Sequence, residues 1–459
     1  MIQHFVDRKK ELDFLEKNYT ERESSLVIIY GRRRIGKTEL VKNFIKNKPH
    51  IYFLADNRGD YQNLKEMQRF MGYFLQDDLF VKADIREWTE LFEEFSKKME
   101  DKIVIVVDEF PYLITSNKAV PSLFQKIWDT TLSSKKVCLV LLGSRIGMME
   151  TAVLGYRSPL YGRRTGQWKV LPLKFKYLHK FLPDYSIEDL IKTFSITDGI
   201  PAYILTMNPK ISFSENLIEN VFSSGSFLYQ EAEFLLRQEL REQANYFNIS
   251  KAVSVGRTKF GEIVTFTELD KTLVSKYLST LMLLHVLKKE FPITQKKETR
   301  NARYSFEDNY YNFWFRFVYP NKTLIEGGKI TELIDSIESD FNMHVSRVFE
   351  KVCRESLFDT SLVFNKMGRW WHKDKEIDIV ALNEKTKDIL FAECKWKDNV
   401  NAERIFSDLK EKTGHVKWYN DSRKEKFVIF GKSFSKKSEN CSCFDLKDLK
   451  KMNSKCKQE

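Results

Sequence analysis

The sequence predicts an α/β chain of several domains that opens with a parallel sheet covered by helices on both faces. Its 459 residues exceed what one hydrophobic core usually supports. Three apolar runs of strand length, SLVIIYG, KIVIVVDEF and VCLVLLGS, lie in the first third of the chain. Helical patterns such as DYQNLKEMQRFMGYFLQ and WTELFEEFSKKME alternate with them, as in parallel sheets. We expect domains at 1–205, 206–325 and 326–450, with a polar tail at 451–459.

Composition narrows the classes of partner. The formal charge of +12 and the pI near 9.1 suit nucleic acid or an anionic membrane surface, although a solvated lysine-rich surface explains them equally well. The six cysteines form no CxxC pair, which argues against a zinc ribbon or a disulfide framework and favours a cytoplasmic location. The apolar runs are each shorter than ten residues, so we expect no membrane span.

The first strand runs into a P-loop. Gly31, Gly36, Lys37 and Thr38 have the spacing GxxxxGK[ST], with an apolar strand before it and a helical pattern after it. Backbone N–H groups of such a loop wrap the phosphates of a nucleoside triphosphate, the lysine reaches the β and γ phosphates, and the hydroxyl binds Mg²⁺. The predicted nucleotide-binding residues of the loop are Gly31, Arg32, Arg33, Arg34, Ile35, Gly36, Lys37 and Thr38.

Two further strands end in polar residues. The predicted strand in KIVIVVDEF ends at Asp108 and Glu109. We expect Asp108 to help hold Mg²⁺, and Glu109 can orient or deprotonate the attacking water. The pair therefore indicates hydrolysis as well as binding. VCLVLLGS ends at Ser144, where a hydroxyl can contact the γ-phosphate, although a serine at a strand-to-helix turn needs no such role.

The first domain resembles the archaeal-type ATPases of the STAND-like P-loop group. The segments that carry the resemblance are FVDRKKEL, the P-loop, VVDEF, LLGSR, SPLYGRRTGQWKVLPL and DGIPAYIL. The resemblance implies ATP as the nucleotide and gives Arg8 and Glu11 a role in the adenine pocket, although Asp7 replaces the usual glycine. It also implies an arginine finger at Arg163 or Arg164, in cis or from a neighbouring copy in a homo-oligomer. The alternative is that both arginines pair with surface carboxylates.

The middle of the chain has the outline of a winged helix-turn-helix. YFNISKAVSVG, KFGEIVTFT and LDKTLVSKYLSTLMLLHVLKKE are predicted helices, the third with Leu273, Tyr277, Leu281 and Leu284 on one face. ITQKKETRNARYSFED is predicted as a two-stranded wing. Its basic residues near the tip are Lys296, Lys297, Arg300 and Arg303. Such a domain can contact DNA or serve as a packing unit, and NYYNFWFRFVYP is predicted as a buried helix beside it.

The C-terminal region contains KEIDIVALNEKTKDILFAECKW, predicted as two strands around a polar turn. Asp378 on one strand and Glu393 on the next can hold Mg²⁺ or Mn²⁺, and Lys395 beside them can stabilise charge on a phosphate. Glu350 on an upstream helix is a further acid. A hairpin with charges paired across its strands is the alternative. The region resembles the restriction-endonuclease-like PD-(D/E)xK domain fused to archaeal-type ATPases, which implies a nuclease-like α/β fold.

These features lead to two hypotheses. The first is an ATPase whose nucleotide state controls the winged-helix and nuclease-like domains, with DNA as the candidate partner. The second is a nucleotide-dependent switch or scaffold in which the nuclease-like domain is inert. A transcription regulator without metal-dependent cutting is a third class, and salt-dependent DNA binding separates the first two.

Overall fold

A computed structural model describes residues 5–240, 242–295, 301–358 and 363–454. The chain divides into two compact units, Met1–Pro172 and Leu173–Glu459. Residues 173–205, predicted as part of the first domain, fall in the second unit. None of the helices in the described ranges combines the length and the apolar character that a bilayer crossing requires.

The first unit contains a five-stranded sheet. Its strands are β1 (Ser24–Tyr30), β2 (His50–Leu54), β3 (Ile103–Asp108), β4 (Val137–Gly143) and β5 (Gly166–Lys169). The strand order is β2-β3-β4-β1-β5, and all neighbours are parallel. Continuous apolar runs are what a sheet covered on both faces requires. This arrangement confirms the predicted fold class.

Helices cover both faces of this sheet. They are α1 (Lys9–Thr20), α2 (Lys37–Ile45), α3 (Asp60–Leu75), α4 (Asp78–Lys82), α5 (Trp88–Lys97), α6 (Phe110–Ser116), α7 (Val120–Thr130) and α8 (Ile146–Met148). Successive strand residues point to opposite faces. Leu26 and Ile28 accordingly belong to one core with α3 and α5, whereas Val27 and Ile29 belong to another with α1 and α2.

The second unit begins with helices. They are α9 (Ile187–Thr197), α10 (Pro201–Ile204), α11 (Phe213–Asn220), α12 (Phe227–Glu239), α13 (Gln243–Ser254), α14 (Phe260–Thr267) and α15 (Lys271–Leu283). A two-stranded antiparallel ribbon follows, formed by β6 (Leu287–Glu290) and β7 (Arg303–Phe306). Next come α16 (Asn309–Phe313), which continues as π and 3-10 turns to Asn321, then α17 (Lys322–Glu326) and α18 (Ile330–Phe358).

The ribbon and the preceding helix α15 each correct one detail of the prediction. The first strand is Leu287–Glu290, which the sequence pattern assigns to the preceding helix, because LKKE carries a charge pattern that a helix surface shares. The buried face of α15 is formed by Val274, Tyr277, Leu278 and Leu281, whereas Leu273 is exposed. Lys296, Lys297 and Arg300 lie outside the described residues. The aromatic segment is buried beside the ribbon as predicted, with the Phe306 and Phe315 rings 5.8 Å apart.

The chain ends in a mixed five-stranded sheet, the C-terminal sheet. Its elements are β8 (Lys366–His372), β9 (Lys375–Asn383), β10 (Asp388–Lys395), β11 (Val400–Asn401), α19 (Ala402–Thr413), β12 (Lys424–Gly431), β13 (Phe434–Lys436), β14 (Ser442–Phe444) and α20 (Leu446–Ser454). The order is β14-β12-β10-β9-β8, while β11 and β13 pair separately. The first residues of the segment predicted as a polar tail, 451–459, belong to α20, which continues to Ser454.

Candidate functional sites

The P-loop lies between β1 and α2. Gly36, the residue before α2, has φ 90°, a left-handed conformation that glycine adopts without strain. Lys37 is 6% exposed, and its Nζ donates to the carbonyl oxygens of Gly31 and Arg32, each at 3.0 Å. Burial lowers the pKa of Lys37 to about 8, although Glu109 and Asp108 oppose this shift. The lysine is therefore held inside the loop where phosphate oxygens would replace its carbonyl partners.

Thr38 and Asp108 meet at the candidate Mg²⁺ position. The Thr38 hydroxyl donates to Oδ2 of Asp108 at 2.7 Å. A hydroxyl and a carboxylate in contact are oxygen donors of the kind that Mg²⁺ prefers, so these two residues fit the ion. The sheet brings them together because β3 and β1 are both parallel neighbours of β4.

Tyr52 is a third member of this group that the sequence did not reveal. Its hydroxyl donates to the same Oδ2 of Asp108 at 2.5 Å. Burial and this hydrogen bond raise the pKa of Tyr52 above its ordinary value. Tyr52 lies on β2, which pairs with β3, so only knowledge of the strand order would have placed it beside Asp108.

Glu109 is oriented by Ser144. The Ser144 hydroxyl donates to Oε2 of Glu109 at 2.8 Å, across the neighbouring strands β3 and β4. Glu109 has φ 52° and its N–H donates to Oδ1 of Asp108 at 2.8 Å. This left-handed conformation is uncommon for a residue with a Cβ atom. The turn directs the two adjacent carboxylates to separate partners.

Arg8, directly before α1, contacts the P-loop and pairs with Glu11. Both are buried, and Arg8 Nη1 lies 3.0 Å from Oε1 of Glu11. Arg8 Nη2 donates to the carbonyl oxygen of Ile35 at 3.1 Å. The pair thus supports the loop, and its role in an adenine pocket stays a prediction.

The two candidate arginine fingers have partners within the first unit. Arg163 forms an ion pair with Asp129 at 3.1 Å. Arg164 donates to the carbonyl oxygen of Tyr161 at 2.9 Å and lies 4.7 Å from the centre of its ring. The pairing of Arg163 with a surface carboxylate is the alternative considered for it, and a finger role for either residue stays a prediction.

The C-terminal sheet brings Asp378, Glu393 and Lys395 together as predicted from strand alternation. Lys395 Nζ lies 2.5 Å from Oε2 of Glu393 and 3.9 Å from Oδ2 of Asp378. Asp378 Oδ2 also accepts the N–H of Cys394 at 2.9 Å. Lys412 on α19 donates to the other oxygen of Glu393 at 2.7 Å, a contact that the sequence did not reveal.

Glu350 on α18 completes an acidic group that we call the carboxylate cluster: Glu350, Asp378 and Glu393. Burial, reinforced by Glu350 and Glu393, raises the pKa of Asp378 well above its ordinary range. Burial also raises the pKa of Glu350, although Arg369 opposes it, with Nε 3.5 Å from the carboxylate. Burial would raise the pKa of Glu393 as well, but the nearby ammonium groups outweigh it and lower that pKa.

The carboxylate cluster is not arranged as a metal cage. Both oxygens of Glu393 accept from lysine ammonium groups. Within the described ranges, no group of three or more His, Cys, Asp or Glu is placed to hold a metal ion. A divalent ion at Asp378 and Glu393 would have to displace these lysines, so the metal role of the two carboxylates stays a prediction.

Arg303 of the ribbon contacts the C-terminal sheet. Arg303 Nη1 donates to Oε2 of Glu376 at 2.7 Å, and its guanidinium lies 4.7 Å from the centre of the Trp371 ring. The N–H of Ile293 donates to the carbonyl oxygen of Arg369 at 3.0 Å. Arg303 is therefore engaged within the second unit.

Comparisons with known proteins match two families in different parts of the chain. A family described as an ATPase domain predominantly from Archaea matches residues 5–207. A family of archaeal and bacterial proteins of unknown function matches residues 314–405. An uncharacterized protein of Methanocaldococcus jannaschii is 38% identical over 454 residues, covering 97% of this chain and 100% of that protein.

Two solved structures are similar at lower identity. A Walker-type ATPase of Pyrococcus abyssi has 20% identity and a TM-score of 0.48, covering 67% of this chain and 95% of that chain. The ORC2 protein of Aeropyrum pernix, in ADPNP and ADP complexes, has 13% identity and a TM-score of 0.49, covering 73% and 96% respectively.

Proposed function

The chain belongs to the family of the Methanocaldococcus jannaschii protein that it matches and contains an ATPase domain found predominantly in Archaea, and from this premise we propose that ATP hydrolysis in the first unit controls a DNA-directed activity of the second. The observation that carries hydrolysis is the position of Glu109, directly after Asp108 and held by Ser144 at 2.8 Å. A carboxylate held in place beside the metal-binding aspartate suits activation of water.

The residues of the first unit that surround the candidate nucleotide site have separate roles in hydrolysis. Lys37 exchanges its two carbonyl partners for the β and γ phosphates. Thr38 and Asp108 would hold Mg²⁺, which neutralises phosphate charge when bound. Glu109 orients the attacking water. An arginine from the pair Arg163 and Arg164 would have to leave its present partner to reach the γ-phosphate.

The second unit supplies the candidate action on DNA. Asp378 and Glu393 lie beside Lys395 as in the predicted nuclease-like site, and α13 to α15 with the ribbon have the order of a winged helix. This part of the proposal is supported by the juxtaposition of these residues. A nuclease role requires Lys395 and Lys412 to release Glu393.

A hydrolysis assay tests the first part. We expect the native chain to hydrolyse ATP with Mg²⁺, Lys37→Ala to lose nucleotide binding, and Glu109→Gln to bind ATP while losing hydrolysis by about a hundredfold or more. Glu23→Gln, the same change at an exposed position, is the matched control. Hydrolysis that survives in Glu109→Gln would contradict the assignment of this residue.

A nuclease assay tests the second part, with linear, circular and single-stranded DNA, Mg²⁺ or Mn²⁺, and with or without ATP. Cutting that requires Lys395 and changes in Lys37→Ala would support control by the ATPase. Ion pairing of both Glu393 oxygens favours the second candidate, a nucleotide-dependent switch with an inert C-terminal sheet. ATP hydrolysis without cutting under any of these conditions would support that switch.

A further inference from the structure

A cavity in the second unit connects the ribbon with the carboxylate cluster. Its volume is about 400 Å³, and its walls come from α14, the two ribbon strands, α18 and the C-terminal sheet. Glu350 and Asp378 both line it. The candidate nuclease-like site therefore opens into a cavity and not onto a flat surface of the sheet.

Two arginines of α18 line the same cavity without forming an ion pair. Arg347 and Arg354 are seven residues apart, which places them on one face of the helix about 10 Å apart, with Glu350 between them. Neither has a hydrogen bond or an ion pair with any described residue. Burial lowers the pKa of Arg347, as do the neighbouring Arg316 and Arg369, whereas Glu350 and Glu376 oppose this shift.

The other arginines of the cavity differ in this respect. Arg303 and Arg369 are both ion-paired with Glu376. These pairs tie the ribbon to strands β8 and β9 of the sheet. Arg347 and Arg354 are the guanidinium groups that remain available for an anion among the described residues of this cavity, and a guanidinium binds phosphate well.

The dimensions restrict the form of that anion. A cavity of about 400 Å³ lies in the range that holds one small molecule or one nucleotide unit. A duplex is wider than its major groove, which alone measures about 12 Å. It cannot enter this cavity while the contact between Arg303 and Glu376 holds the ribbon on the sheet. A flexible single strand can thread such a space, since its backbone is not held by a complementary strand.

We propose that this cavity binds an unpaired phosphodiester strand, with Arg347 and Arg354 contacting phosphates on either side of the position that faces Glu350 and Asp378. The inference deepens the function proposed for the second unit and rests on it. It names unpaired strands, and not duplex, as the substrate class of the C-terminal site.

Fluorescence anisotropy tests binding without chemistry. The full chain is titrated into a labelled oligothymidylate in EDTA, with unlabelled oligothymidylate, oligouridylate or blunt duplex as competitors. The test variant is Arg347→Ala/Arg354→Ala. The matched control is Lys385→Ala/Arg404→Ala, which removes the same charge from exposed positions outside the cavity. Thermal unfolding of both variants verifies that they fold.

We expect the single strand to bind and the duplex to compete poorly. The test variant should weaken binding on the order of a hundredfold, about tenfold for each lost charged contact. In the test variant, the slope of log Kd against the logarithm of the salt concentration should decrease by about 1.4, since each phosphate contact of a single strand contributes about 0.7 to that slope. The control should change neither quantity. Stronger competition by oligouridylate than by oligothymidylate would support the site and assign it to RNA.

Three results would overturn the inference: equal competition by duplex, an unchanged Kd in the test variant, or no binding of the oligothymidylate at about 50 mM salt. ATP hydrolysis is measured on the same preparations. Hydrolysis by a chain that binds no single strand would leave the ATPase proposal standing and refute this one alone.

Discussion

The affinity for ATP should fall about tenfold when the pH is raised from 7 to 9, because Lys37 then loses its proton. Its ammonium is buried against neutral carbonyl oxygens, and burial lowers its pKa to about 8. With that pKa, about nine-tenths of the lysine is charged at pH 7 and about one-tenth at pH 9.

The affinity falls with rising pH because the charged form of Lys37 is the one that binds the phosphates. Phosphate groups stabilise the charged lysine, so nucleotide binding raises its pKa and takes up a proton when the pH is above 8. The phosphate itself does not change charge in this range, since its last pKa is near 6. The protonated fraction of free protein therefore sets the apparent affinity.

Titration calorimetry with Mg²⁺ and a non-hydrolysable ATP analogue measures Kd at pH 7, 8 and 9. Lys37→Arg is the control, because a guanidinium stays charged throughout. A Kd that does not change between pH 7 and 9 in the native chain would refute the reasoning. So would a tenfold loss that persists in Lys37→Arg.

Three further predictions each concern one residue. Tyr52→Phe removes the hydrogen-bond donor to Asp108, so the Mg²⁺ concentration for half-maximal hydrolysis should fall about fivefold, the effect of a hydrogen bond worth about 1 kcal/mol. An unchanged Mg²⁺ concentration would count against Tyr52 as a competitor of the ion. Burial lowers the pKa of His344 to about 4, so as the pH falls below 6.5 the unfolded chain binds a proton that the folded protein does not. The free energy of unfolding should therefore decrease by about 2 kcal/mol between pH 7 and 5. Urea unfolding measures this decrease, which should be smaller in His344→Gln. Gly199→Ala should lower the free energy of unfolding by at least about 1 kcal/mol, because φ is 71° and a Cβ atom would lie 2.0 Å from a backbone carbonyl oxygen. Gly225→Ala is the control and should be neutral, because there is open space around this glycine. Thermal unfolding measures both variants.

Residues that act within one short segment were predictable from the sequence. Lys37 and Thr38 follow from the loop spacing, and Glu109 follows from its place after a buried strand. The contact between Glu393 and Lys395 follows from strand alternation, since residues two apart share a face. In each case the chain itself holds the partners close, so no knowledge of the fold was needed.

Residues that meet through the fold were not predictable in this way. Tyr52 reaches Asp108 because β2 is the neighbour of β3, and Lys412 reaches Glu393 because α19 packs beside β10. Neither strand order nor helix packing is written in a local pattern. The first ribbon strand was mispredicted for a related reason: four residues with two lysines fit a helix surface as well as a strand.

The path of the chain through the C-terminal sheet has a consequence for how this site forms. β8, β9 and β10 make consecutive antiparallel turns, whereas β12 joins β10 in parallel only after the α19 crossover. Hairpins close in microseconds, but a crossover must first meet the entropy cost of a longer loop. We expect Asp378 and Lys395 to be neighbours early in folding and Lys412 to arrive late. Substitution of Lys412 should then change the rate of unfolding and leave the rate of folding nearly untouched.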